Sequence, residues 1–86
     1  MLFHSTNERE ERKMNYIVNE YQTTNGQTLI VPAAVFSNQN EAEADFHTKA
    51  AAAAISSVDV HTVTIHTEDG RQVRNPECYR HNIQEE

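Results

Sequence analysis

The sequence predicts an α+β domain of hairpin–helix–hairpin form (ββαββ), a four-stranded antiparallel sheet with one helix packed on one face. Three observations carry this: the dipeptides Asn25-Gly26 and Asp69-Gly70, and an alanine-rich stretch between them. Asn-Gly and Asp-Gly tolerate the positive φ that tight hairpin turns demand. Each lies between runs rich in Val, Ile, Thr and Tyr, the residues that suit a pleated surface.

Strand one is expected over about Tyr16 to Thr23 and strand two over about Thr28 to Phe36. A two-residue loop at Asn25-Gly26 sets Tyr21 opposite Ile30, Val18 opposite Ala33 and Tyr16 opposite Val35. Alternation groups Tyr16, Val18, Leu29, Val31 and Val35 on one face, and Ile17, Tyr21, Ile30, Ala34 and Phe36 on the other. Both faces are apolar, unlike a sheet with one face in water. Pro32 removes a ladder donor and marks an edge strand or a bulge.

The helix is expected from about Asn40 to Ile55. Ser37, Asn38 and Asn40 are possible caps, and Glu41, Glu43 and Asp45 lie where the helix dipole favours negative charge. Ala42, Phe46, Ala50, Ala53 and Ala54 form a thin stripe at helical spacing, with Phe46 its only large anchor. Strands three and four follow, about Val58 to Thr67 and Arg71 to His81. A two-residue loop at Asp69-Gly70 sets His61 opposite Cys78, Val60 opposite Tyr79 and Val58 opposite His81. Pro76 is expected to bulge, so pairings beyond it can slip by one residue.

Length and composition bound the function. Eighty-six residues make one small domain with 37% hydrophobic residues and no Trp. A chain of this size buries roughly 60% of its extended surface. One cysteine excludes an internal disulfide and fits a reducing cytoplasm, which leaves oligomerisation or a metal as sources of added stability. The formal net charge of −6 argues against direct nucleic-acid binding and permits competition for a basic groove. No apolar stretch approaches the ~20 residues of a membrane span. Residues 1–13 are dense in charge and lack apolar periodicity, so they read as a disordered or extension arm ahead of a single domain over 14–86. Purine-rich codons for Glu8 to Lys13 would suit a ribosome-binding site, which makes Met14 a candidate natural start.

Candidate chemistry centres on five His and one Cys. His61 and Cys78, opposite each other by the expected pairing, form the kernel of a zinc site with His81 or His47 as third ligand. The spacing matches no standard zinc motif, and the alternative is a half-buried polar pair packed in the sheet. Cys78 lacks an oxyanion site or an acid to orient His61, so no catalytic residue is assigned and the chain reads as non-enzymatic. Arg71, Arg74 and Arg80 alternate along strand four, as an anion site or as protective edge charges. The two-sided apolar pattern points to an interface over Tyr16, Val18, Val31, Val35, Val60 and Tyr79, filled by a homodimer partner or by another protein.

The run Phe46 to Val63, FHTKAAAAAISSVDVHTV, resembles a group of small phage and prophage proteins of Gram-positive bacteria. The similarity extends from about Met14 to the ending Tyr79-Arg80-His81, over about 70 residues. It implies a mobile-element context and a host cytoplasmic location. It leaves the activity open, and within that context the expected function is an anti-CRISPR-like inhibitor of a host defence protein. The alternatives are a virion tail or assembly accessory, or an oligomeric sponge for a small-molecule defence signal.

Overall fold

The computed structural model describes residues 14–81. The arm assigned to residues 1–13 lies outside the described residues, as do residues 82–86. The element order is β1 (Tyr16–Thr24), β2 (Gln27–Phe36), α1 (Gln39–Ala54), β3 (Val60–Thr67) and β4 (Glu77–Arg80). The four strands form one antiparallel sheet in the order β2-β1-β3-β4. This is the α+β hairpin–helix–hairpin that the turns and the alanine stretch predict. Among the described residues, no helix is long and apolar enough to cross a membrane.

The first hairpin turns where expected. Asn25 and Gly26 take φ of 55° and 80°, the paired positive values of a type I′ turn, and Thr24 faces Gln27 across it. Tyr21 faces Ile30 as the two-residue loop requires. Further from the turn the register moves: Val18 faces Ala34, not Ala33, and Tyr16 faces Phe36, not Val35. Asn19 alone opposes both Pro32 and Ala33, which is a β-bulge on β2. Pro32 therefore meets both conditions that tolerate it, an edge strand and a bulge.

Of the three possible helix caps, Asn38 is the one used. Its backbone is extended, and its side-chain oxygen accepts from the Glu41 N–H at 3.0 Å. Ala42, Phe46, Ala50 and Ala53 are buried along the inner stripe, while Ala54 is exposed. The small residues let the helix axis lie close to the sheet, and Phe46 fills the space they leave. It packs with Val18, Val63 and Ile65 from the central strands, and Tyr16, Ala34, Phe36, Val73 and Tyr79 close the margins.

β3 shows the strictest alternation in the molecule. His61, Val63, Ile65 and Thr67 are buried, and the residues between them are half-buried. Because paired residues point to the same side, this pattern fixes the helix-facing side of every strand. Tyr16 pairs with Thr67, Val18 with Ile65, Glu20 with Val63 and Gln22 with His61. The expected interface set is therefore split. Tyr16, Val18 and Tyr79 face the helix, and Val31, paired with Glu20, lies on that side too. Val35 and Val60 lie on the bare side, opposite Ile17 and Thr23.

The second turn is longer than expected. Thr67 and Arg71 close it, with the Thr67 N–H donating to the Arg71 carbonyl at 2.8 Å. Of Glu68, Asp69 and Gly70 between them, only Gly70 has positive φ, at 91°. That is a three-residue hairpin loop with glycine at its left-handed position. After the His66–Gln72 bridge the chain leaves the ladder and rejoins at Glu77, beyond Pro76. The expected strand from Arg71 to His81 is thus reduced to four residues. Its pairing is shifted by one: Val60 faces Arg80, His61 faces Tyr79 and Thr62 faces Cys78.

Candidate functional site

That one-residue shift parts His61 from Cys78, the pair at the centre of the expected metal site. Cys78, paired with Thr62, points to the bare face, where it is exposed and accepts a hydrogen bond from the Thr62 hydroxyl at 3.3 Å. His61 points to the helix side and is 4% exposed. The sheet itself separates thiol from imidazole. His81 is engaged elsewhere: its Nε2 donates to the Ala53 carbonyl at 2.9 Å, and its ring stacks on Tyr79. His47 is exposed on α1 with its ring against the edge of Phe46. No group of three or more His, Cys, Asp or Glu able to hold a metal ion occurs among the described residues.

His61 instead joins a buried polar chain. Its Nε2 meets the Glu20 carboxylate and its Nδ1 meets the Ser56 hydroxyl at 2.9 Å. Gln22 Nε2 also donates to Glu20, at 3.2 Å. The side chains of His61 and Glu20 are only 6% and 14% exposed. An ionised carboxylate only accepts, so Nε2 carries a proton; in the neutral ring Nδ1 then accepts from Ser56. Glu20 and Ser56 carry no role in the sequence reading. Tyr16, Val18 and Glu20 share one side of β1, and a carboxylate following two core residues on that side is the signal for a buried partner.

Ser, His and Glu in a hydrogen-bonded row are also the elements of nucleophilic catalysis. Here the N–H groups of Ile55 and Ser56 are spent on the end of the helix. The Ile55 N–H donates to the Ala52 and Ala53 carbonyls, and the Ser56 N–H to the Ala53 carbonyl. The hydroxyl also sits at the carbonyl end of α1, where the dipole opposes a developing oxyanion. The row is a tether that fastens the end of the helix to the two central strands.

A cleft of about 580 Å³ opens between the first half of α1 and the connection from β3 to β4. Arg74 spans it and grips Glu43 through Nε and Nη2, at 3.1 and 2.9 Å. A hydrogen bond from Gln39 and the Arg74 guanidinium hold the Glu43 carboxyl below its ordinary value. Arg74 is thus occupied by a side chain of its own protein. At the mouth, the Tyr79 hydroxyl donates to Glu77 at 3.1 Å, and this bond pushes the phenol above its ordinary value.

Among the described residues, the broad uncovered feature is the face of the sheet away from α1. It presents Ile17, Tyr21, Ile30 and Val35 among Asn19, Thr62, Thr64 and His66. Asn19 and His66 are linked across the central strands at 2.9 Å. Ile30 and Val35 are 65% and 60% exposed, at the β2 margin. Comparison with protein-family models, with curated proteins and with solved structures finds no match to this chain.

Proposed function

We propose that this protein is a non-enzymatic binding protein that docks a host protein on the bare face of its sheet. In the phage context implied by the Phe46 to Val63 resemblance, that target is a component of a bacterial defence system, as for anti-CRISPR inhibitors, and the site of action is the host cytoplasm. The observation that carries the reading is the composition of the bare face: aliphatic and aromatic side chains interleaved with Thr, Asn and His, without a carboxylate among the residues named above. Mixed surfaces of this kind suit association between separately folded partners. The net charge of −6 would steer the protein toward a basic, nucleic-acid-handling target.

The test is phage plating on cells with an active CRISPR defence, with and without this protein. Expression should restore plating, and Tyr21→Ala combined with Val35→Lys should abolish the effect while leaving the circular dichroism spectrum unchanged. Unrestored plating, with a tail or capsid protein retained from infected cells, would replace this reading with the virion-assembly one. Unrestored plating with a bound nucleotide-like small molecule would replace it with the sponge.

A further inference from the structure

β2 is a ten-residue edge strand whose outer backbone row has no neighbour among the described residues. Edge strands of this length are usually protected by charge, by brevity or by a cover. Along its first half, before Pro32 and the bulge, β2 has neither charge nor, among the described residues, a cover. From Asn25 to Asn40 the chain contains no charged residue, although 23% of its residues are charged. Leu29 on the helix side and Ile30 on the bare side are 61% and 65% exposed. The segment Gln27–Val31 runs straight from the type I′ turn to the bulge at Pro32 and Ala33.

We infer that β2 pairs antiparallel with β2 of a second copy about a two-fold axis, joining two sheets into one of eight strands. Neutrality favours a second copy as the occupant. Two chains of net charge −6 repel, and this strand lets them meet without burying like charges. A basic partner would find no counter-charge here. Such an axis stands perpendicular to the sheet, so each residue faces one of the same side. Centring it on Ile30 sets Ile30 against Ile30 of the partner subunit on the bare side. It sets Leu29 against Val31 of the partner subunit on the helix side. Moving the centre to Leu29 would set Ile30 against Thr28 and Val31 against Gln27, so the Ile30 centre matches apolar to apolar. The inference does not depend on which protein the bare face binds, and pairing would make the two bare faces one continuous platform.

Sedimentation of the full chain should give twice the 9.8 kDa chain mass at concentrations on the order of 100 µM. Ile30→Lys should give a monomer with an unchanged circular dichroism spectrum, since Ile30 packs little within its own chain. In a Cys78→Ser background, Ile30→Cys should form a disulfide-linked dimer under mild oxidation, because directly opposed residues lie within disulfide reach. Thr64→Cys in the same background should not cross-link. A monomer throughout, a dimer that survives Ile30→Lys, or cross-linking at Thr64 in place of Ile30 would overturn the inference. Loss of phage protection with the dimer intact would bear on the target alone.

Discussion

At one margin of the sheet, β4 offers four residues to solvent, with Glu77 and Arg80 at its ends and Pro76 just before it. At the other, β2 offers ten, none charged, with Leu29, Ile30 and Val35 at least 60% exposed. β4 is short but anchored: Tyr79 packs on the core, and His81 just beyond it bonds the end of the helix. β2 has its anchors, Ala34 and Phe36, only after the bulge. One edge is closed by charge and brevity and fixed by inward side chains. The other is held by its ladder to β1 and leaves its apolar side chains outside. Edge protection and edge anchoring are thus separate properties, and a long edge without charge is where association is to be sought.

The comparison predicts a graded set of mutational costs. Phe46→Ala should cost about 3–5 kcal/mol, because its ring is fully buried and is the only large side chain on the buried stripe of the helix. Both edges should then melt together in thermal denaturation. Tyr79→Ala should cost about 2 kcal/mol, since the ring is half-buried. Hydrogen exchange should rise over residues 77–80 while β1 stays protected. Leu29→Thr and Ile30→Thr should each stay within about 0.5 kcal/mol in dilute monomer, as expected of exposed positions. A cost at Ile30 equal to that at Tyr79 would erase the distinction between the edges.

The smallest effect is one of pH. The Thr67 hydroxyl donates to Asp69 and holds its carboxyl below the ordinary value of 3.8. A carboxylate depressed on folding adds stability above its unfolded value and loses it as pH falls through the folded one. Amide signals of the second turn should therefore shift below about pH 4 in an NMR titration. Asp69→Asn should remove that shift and leave the Asn25-Gly26 turn unaffected.

Much of this was legible in the residues, and the boundary is instructive. Asn25-Gly26 predicts its turn because both positions need positive φ, and the alanine stripe with Phe46 predicts the helix and its inner face. Pro32 and Pro76 mark where the ladders break. What they do not state is the size of each break. The loop at Asp69-Gly70 has three residues, not two, and the chain leaves the ladder before Pro76. Together these shift β4 by one position and carry Cys78 away from His61. The helix-facing side of β1 was equally hidden, because Tyr16, Ile17, Val18 and Tyr21 suit either side. Only pairing with the strictly alternating β3 decides it. The Glu20–His61–Ser56 row joins three elements, and no local spacing encodes it.

His81 carries a consequence for how the chain comes into being. Its ring holds the Ala53 carbonyl and its N–H holds the Asp59 carbonyl at 2.6 Å, while the Asp59 side chain accepts from Asn25 at the first turn. Residues 25, 53, 59 and 81 thus meet at one end of the sheet. During synthesis, the first hairpin and the alanine helix leave the ribosome well before the residue that fastens them. Local turns and helix can form early, but the knot closes only when the last strand has emerged. The neutral β2 edge is therefore exposed to neighbouring nascent chains before its own domain is complete.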